Sequence, residues 1–194
     1  MKTVIEGTLR FSFPTSWCVV KYDGEKDQPV SPNFYLRHLE PVNGTKAVDI
    51  VAAPPSPASR LTLLEVKDFR ADDADLQHKI ETEHFPLEVV QKALHTISGL
   101  YLGIRAQDPE LLPLGVQLLG LPERLEVVLF LEQVPVAHHS NSKSYRRALD
   151  NRSRQRQGIA KRLRSALKPL GIATAVFDQA TVPAAVGWQV EETA

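Results

Sequence analysis

Hydrophobic residues along the chain recur in two patterns, one typical of strands and one typical of a helix. Short apolar or alternating runs rich in β-branched and aromatic residues predict strands. Such runs occupy residues 3–13, 17–22, 46–52, 60–69, 125–132 and 172–177. From residue 86 to residue 100 the apolar positions instead recur at helical spacing, which predicts a core-facing helix.

The segments between these runs complete the predicted order of elements. The loop between the strands 46–52 and 60–69 contains three prolines, which cannot continue a ladder, so a hairpin is the simplest connection. A short helix is expected at residues 33–40, and a basic helix, or a pair divided at Gly158, at residues 144–170 with a cap at Gly171. Residues 111–122 read as an apolar loop. This order predicts an α/β fold with a mixed central β-sheet flanked by helices.

The length of the chain favours a single domain. It has 194 residues, of which 43% are hydrophobic, and domains of roughly 100 to 200 residues are usual. We divide it into an N-terminal β extension (1–32), a core (33–135), a basic helical segment (138–170), and a terminal strand and tail (171–194).

Composition excludes several classes of protein. The single cysteine, Cys18, cannot form an internal disulfide, and no Cys or His cluster has zinc-site spacing. The longest charge-free apolar run, residues 111–122, is shorter than the roughly 20 residues that cross a bilayer. Glu6 and Arg10 interrupt the stretch where a signal peptide would be apolar. We therefore expect a cytoplasmic protein without a membrane partner.

Charge is distributed unevenly although the total is zero. Residues 138–168 hold ten Lys or Arg and one acid, Asp150, a net charge of +9 that the remainder balances. Such asymmetry favours a surface that meets a polyanion, and the alternative is a solvated arm or an oligomer contact. The second half of this basic segment has apolar residues at core spacing, so we expect it to pack against the core of the domain. The residues expected to bind nucleic acid are Lys143, Arg146, Arg147, Arg152, Arg154 and Arg156.

Two acidic residues and a lysine form a candidate catalytic site. Glu65 and Lys67 are two apart on a predicted strand, so their side chains share one face. If the hairpin is symmetric about Pro57, Asp49 lies opposite Glu65, with Cβ atoms about 4.5 to 5.5 Å apart. Two carboxylates this close repel each other unless one is protonated or a cation intervenes, and Mg²⁺ prefers oxygen ligands. A metal there could activate water, and the ammonium of Lys67 could stabilise the negative charge that develops.

In the order VDIVA then LLEVKDF, these residues resemble the Asp, then Glu-x-Lys, signature of the PD-(D/E)XK nuclease superfamily. The resemblance covers residues 33–133 and extends towards residue 177, with Val48 where the family name has proline. It implies a restriction-endonuclease-like core (αβββαβ) and one or two Mg²⁺ or Mn²⁺ ions bound by Asp49, Glu65 and the carbonyl of Val66. The resemblance also implies that Lys67 assists the nucleophilic water.

The same resemblance suggests two accessory residues. The family has a leading glutamate in its first helix, for which Glu40 is the candidate here. Some members place a glutamine and a tyrosine four residues apart on the helix after the Glu-x-Lys strand. Gln91 and His95 have that spacing. Because histidine replaces tyrosine, we carry Gln91 forward and leave His95 out of the catalytic set.

The leading hypothesis is therefore a Mg²⁺- or Mn²⁺-dependent nuclease that acts on DNA or RNA, with DNA favoured. A homodimer or a subunit of a larger complex is compatible with this hypothesis. One alternative is that Glu65 and Lys67 form an exposed ion pair of little energetic consequence. Another is a catalytically silent nuclease-like fold that binds nucleic acid or assembles with partners. A small-molecule enzyme ranks last because no glycine-rich phosphate loop is present.

Overall fold

The computed structural model describes residues 1–24, 33–55, 60–71, 78–79, 84–119, 124–136 and 142–193. These residues form a layer of helices, a five-stranded sheet and a three-stranded sheet. The strands are β1 (Lys2–Glu6), β2 (Leu9–Phe13), β3 (Cys18–Lys21), β4 (Ile50–Ala53), β5 (Arg60–Phe69), β6 (Arg124–Gln133), β7 (Ile172–Phe177) and β8 (Gln189–Glu192). The α-helices are α1 (His84–Arg105), α2 (Gly115–Leu119) and α3 (Ser142–Leu167).

The central sheet has the strand order β3-β4-β5-β6-β7. Strands β3, β4 and β5 are antiparallel neighbours, whereas β5, β6 and β7 are parallel. Parallel neighbours need a crossover connection, and the helices α1 and α3 lie between β5 and β6 and between β6 and β7 in the chain. The predicted mixed α/β sheet is confirmed. Strand β3, which the sequence division grouped with the N-terminal extension, pairs with β4 in this sheet.

The two faces of the central sheet are covered by different kinds of structure. One face packs against helices through buried residues such as Val89 of α1 and Leu163 of α3. The other face packs against the sheet β1-β2-β8 through Phe11, Phe130 and Trp188. The prediction of a sheet flanked by helices is therefore met on one face of the described structure. The second sheet covers the other face of the central sheet, because the alternating apolar residues of β2 are buried against that face.

The N-terminal run differs from its prediction. Residues 3–13 form two strands, β1 and β2, which pair with each other from Lys2–Phe13 to Glu6–Leu9. Gly7, at φ +58°, makes the turn between them, a conformation that glycine adopts without steric cost. The alternation continues across this turn, so the sequence pattern alone resembles one strand. Strand β8, which was not predicted, pairs with the other edge of β2.

Helical segments also depart from the sequence analysis. The helix expected at residues 33–40 is a single π-helical turn, Tyr35–Leu39. The apolar segment read as a loop contains a 3₁₀ turn and α2 up to Leu119, and residues 120–122 lie outside the described part. Helix α3 runs through Gly158 without a break, and Gly171 caps the following 3₁₀ turn at φ +74°, as predicted. No helix in the described residues is both long and apolar enough to cross a bilayer.

Candidate functional site

Asp49 and Glu65 lie side by side on neighbouring strands. The hairpin pairs Ile50 with Leu64 and Val51 with Leu63, so one further step along this register places Asp49 opposite Glu65. Strand β4 was predicted to begin at residue 46, but it begins at Ile50. The segment before it is held by α1, because the Val48 N–H donates to Thr96 Oγ1 (3.0 Å) and the Lys46 N–H to His95 Nδ1 (3.1 Å).

The carboxylate of Glu65 is fully buried and only partly satisfied. Its Oε1 accepts from the ammonium groups of Lys67, at 2.9 Å, and Lys92, at 2.7 Å. Its Oε2 is buried and has no hydrogen-bond partner among the described residues. Burial and the neighbouring carboxylate of Asp49 raise the pKa of Glu65 to about 7, against the opposing effect of the two lysines.

Asp49 is held by the backbone of both neighbouring strands. Its Oδ2 accepts from the N–H of Val66 at 2.5 Å, and its backbone carbonyl accepts from the N–H of Tyr22 at 2.8 Å. Its Oδ1 lies 3.7 Å from the ammonium of Lys92. In an extended strand the N–H and C=O of one residue point to the same side, so the Val66 carbonyl also faces the Asp49 side of β5.

Two more carboxylates extend this cluster. One oxygen each of Glu6, Asp23 and Asp49 lies within 4.8 Å of the others, an arrangement that could hold a metal ion. Lys21 contacts Glu6, and its ammonium lies 3.5 Å from Asp23 Oδ1. Burial and the neighbouring carboxylates of Asp49 and Glu6 raise the pKa of Asp23 to about 8, although Lys21 opposes the shift.

The donor set suits a hard divalent cation. Four carboxyl groups and three ammonium groups meet here, which gives a formal charge of −1 when all are ionised. Oxygen ligands are those that Mg²⁺ and Mn²⁺ prefer. The buried, unsatisfied Glu65 Oε2 gains a partner if such an ion binds. Among the described residues, the carboxylates whose oxygens lie close enough together to share an ion are those of Glu6, Asp23 and Asp49. Glu65 and the carbonyl of Val66, the other ligands that the resemblance implies, lie on the strand beside Asp49.

The structure brings together Asp49, Glu65, Val66 and Lys67 as their spacing predicted. The two accessory candidates, Gln91 and Glu40, stay predictions. Gln91 is exposed, and the α1 residue that reaches the carboxylates is its neighbour Lys92. Glu40 follows the π-helical turn, and its backbone N–H donates to the Tyr35 carbonyl. Two carboxylates that were not predicted, those of Glu6 and Asp23, lie near that of Asp49.

Lys92, Glu6 and Asp23 were not predicted to belong to this site. Lys92 carried a weak signal, since it is a cation next to Ala93 and three residues after Val89, both apolar positions of a core-facing helix. The other two carried none that a local pattern could detect. Glu6 comes to Asp49 from the second sheet, and Asp23 follows the end of β3.

The basic helix α3 is anchored beside the site. Arg156 donates to the side chain of Gln133 (2.9 Å) and to the carbonyl of Leu131 (3.2 Å), and it forms an ion pair with Asp178. Arg152 donates to the Val134 carbonyl. Leu131 is the β6 partner of Lys67, and adjacent strands are roughly 4.8 Å apart. Arg152 and Arg156, two of the six cations predicted to bind nucleic acid, therefore make contacts within the fold. The other four are exposed: Lys143, Arg146, Arg147 and Arg154.

Comparison of this chain with family models, with curated proteins and with solved structures returned no match.

Proposed function

We propose that this protein is a metal-dependent nuclease that hydrolyses phosphodiester bonds, in DNA more readily than in RNA. The observation that carries the proposal is the state of Glu65. Both ammonium groups bind Oε1, Oε2 is left buried and unsatisfied among the described residues, and the charge of Asp49 acts on the same carboxylate. A buried carboxylate in this condition is costly to the fold unless it serves a ligand.

The surrounding elements support a restriction-endonuclease-like core. The residues lie on an antiparallel hairpin, β4–β5, which is followed by α1 and by the buried parallel strand β6. This setting agrees with part of the αβββαβ order that the resemblance to the PD-(D/E)XK superfamily implies, since two strands rather than three lie between the π-helical turn and α1 in the described residues. The π-helical turn before the hairpin stands where that family's first helix is expected.

Asp49 and Glu65 would hold Mg²⁺ or Mn²⁺ together with the Val66 carbonyl. A bound ion of this kind polarises a phosphoryl oxygen and lowers the pKa of water. Lys67 is the residue suited to act on the reacting atoms, because its side chain is 25% exposed while its ammonium is oriented by Glu65 Oε1. From there it can donate to the attacking water and stabilise negative charge that develops on the phosphate.

The exposed cations at the start of α3 would hold the nucleic acid backbone. The anchor at Leu131, the β6 partner of Lys67, fixes α3 close to the carboxylates. Contacts of lysine and arginine with phosphates give affinity that depends steeply on salt and discriminates little between sequences.

The test compares the wild-type protein with Lys67→Ala and Asp49→Asn on single- and double-stranded DNA and RNA, with Mg²⁺, Mn²⁺ or EDTA. Lys168→Ala, an exposed lysine after the end of α3, serves as the control. We expect cleavage that needs the metal, is lost in both site variants and persists in the control. Cleavage in EDTA, or equal cleavage by Lys67→Ala, overturns the proposal. Binding in EDTA with no cleavage of any substrate also overturns it, in favour of a silent nucleic-acid-binding protein.

A further inference from the structure

Lys92 lies where helix α1 passes over the carboxylates. Its neighbours Val89, Ala93 and Thr96 are buried against the central sheet, and its own side chain is 13% exposed. Its ammonium is 2.7 Å from Glu65 Oε1 and 3.7 Å from Asp49 Oδ1. Lys92 therefore joins the two carboxylates that lie opposite each other on the hairpin.

The hydrogen bonds of Asp49 determine which of its oxygens a metal can use. Oδ2 accepts from the Val66 N–H, so Oδ1 is the oxygen with more lone-pair capacity left for a metal. This is the oxygen that Lys92 faces. A Mg²⁺ ion binds its oxygen ligands at about 2.0 to 2.1 Å, so an ion on Asp49 Oδ1 stands within a few ångströms of the Lys92 ammonium. Two cations at such a distance repel each other strongly in a partly buried site.

Lys67 stands in a different relation to the same carboxylates. Its ammonium contacts Glu65 Oε1, and its side chain is more exposed than that of Lys92. It can keep its contact with Oε1 while a metal occupies the Asp49 side. The two lysines are thus not equivalent, because Lys92 is the one whose ammonium also lies close to Asp49.

We propose that Lys92 is an internal counter-ion that holds Asp49 and Glu65 together in the metal-free protein and competes with the divalent cation for them. It is a positioning residue, and its charge sets the affinity of the site for metal. The inference rests on the proposed function, because it requires that Asp49 and Glu65 bind a metal at all. It accounts for how two buried carboxylates remain side by side before the metal arrives.

The experiment measures Mn²⁺ binding by calorimetry at pH 7 in wild type, Lys92→Met, Lys92→Arg, Asp49→Asn and the surface control Lys161→Met. Methionine keeps the length of the side chain and removes its charge. We expect Lys92→Met to bind Mn²⁺ at least about tenfold more tightly, since a competing unit charge is removed. Lys92→Arg and Lys161→Met should stay within about threefold of wild type, and Asp49→Asn should lose binding.

Thermal unfolding in EDTA and in saturating Mn²⁺ gives a second readout. Lys92→Met should melt lower than wild type in EDTA and gain more from Mn²⁺ than wild type does. If Lys92→Met does not fold, Lys92→Gln, which keeps a donor for Glu65 Oε1, replaces it with the same expectations.

Equal or weaker Mn²⁺ binding by Lys92→Met, in a protein whose wild type binds the ion and whose Asp49→Asn variant does not, overturns this inference and leaves the proposed function standing. Absence of Mn²⁺ binding in the wild type, or binding that survives Asp49→Asn, overturns both.

Discussion

Glu65 and Glu126 are buried glutamates on the neighbouring strands β5 and β6, and their surroundings differ in kind. The oxygens of Glu126 are both matched by donors. Oε1 accepts from Thr62 at 2.8 Å and lies 3.5 Å from Arg60, while Oε2 lies 2.8 Å from Arg124. Glu65 has two ammonium groups on one oxygen, no described donor on the other, and the carboxylate of Asp49 beside it.

The difference separates a structural charge from a candidate functional one. A buried carboxylate whose oxygens are all paired stabilises the arrangement around it, and removing it leaves its partners unpaired. A carboxylate that is left unsatisfied beside another carboxylate stores repulsion that a bound cation can relieve. Burial by itself does not distinguish these two cases. The hydrogen-bond and ion-pair partners of each carboxylate oxygen distinguish them.

The largest expected effect is on cleavage. Glu65→Gln and Asp49→Asn should lower the rate at least about 100-fold, because each removes a metal ligand. Glu126→Gln, a matched change on the next strand, should stay within about threefold of wild type when assayed well below its melting temperature. Single-turnover cleavage of a labelled duplex in Mn²⁺ measures all three. Comparable losses for Glu65→Gln and Glu126→Gln would break the comparison.

The effects of the two glutamate substitutions on stability should have the opposite order to their effects on cleavage. Glu126→Gln should lower the free energy of unfolding by about 2 to 3 kcal/mol, because it leaves Arg60 and Arg124 without their charged partner. Glu65→Gln in EDTA at pH 8 should cost less than Glu126→Gln, since the loss of the ion pairs with Lys67 and Lys92 is offset by relief of the repulsion from Asp49. Urea unfolding measures both variants. A destabilisation of Glu65→Gln as large as that of Glu126→Gln would contradict the distinction.

The pH dependence of stability sharpens the same contrast. The pKa values of Glu65, about 7, and Asp23, about 8, lie above those of the same groups in an unfolded chain. The folded protein therefore binds more protons than the unfolded chain between about pH 4 and pH 8. The free energy of unfolding of the metal-free protein should therefore fall as pH rises through this window. Each group contributes at most about 1.4 kcal/mol per pH unit.

Urea unfolding in EDTA at intervals from pH 5 to pH 8 tests this dependence. Glu65→Gln and Asp23→Asn should each flatten the fall, and Glu126→Gln should keep the wild-type slope. Saturating Mn²⁺ should remove most of the fall, because metal binding needs the deprotonated carboxylates. A metal-free protein whose stability rises from pH 5 to pH 8 would contradict the assignment.

The smallest expected effect is on DNA binding by the arginines of α3. Like Glu126 and Glu65, these arginines differ in how fully the fold engages their charges. Arg156 is engaged by Gln133, Leu131 and Asp178, whereas Arg146, Arg147 and Arg154 are exposed. Changing the exposed three together to Gln should weaken DNA binding several-fold and reduce the salt slope by up to about 0.9 for each phosphate that is no longer neutralised. Fluorescence anisotropy in EDTA from 50 to 200 mM salt, roughly the range over which such interactions show, measures this. An unchanged slope would remove α3 from the binding surface.

Much of the central sheet followed from local patterns. Strand β5 has the bounds predicted for it, and β6 and β7 agree closely with their apolar runs. The register of the β4–β5 hairpin, inferred from the symmetry of the loop at Pro57, is the one observed between Ile50 and Leu64. These features depend on residues close in sequence, whose spacing and turn length constrain the pairing.

The second sheet and two of the four carboxylates in the acidic cluster could not be predicted from local sequence patterns. Strand β2 pairs with β8 across almost the whole chain, from Leu9–Glu192 to Ser12–Gln189. Glu6 reaches Asp49 only because this sheet packs on the central one, and Lys92 reaches Glu65 only because α1 crosses over β5. A periodic pattern shows which face of an element is buried, and it does not show which distant element covers that face.

Local sequence is enough to place Asp49, Glu65 and Lys67 on one patch of a buried hairpin, because strand periodicity and a short connection leave little freedom in the register. The electrostatic state of that patch depends on the assembled fold. Burial removes the solvent that would otherwise screen the charges, and Lys92, Asp23 and Glu6 arrive from separate elements to set which oxygens are paired. The pairing of individual oxygens is what distinguishes Glu65 from Glu126.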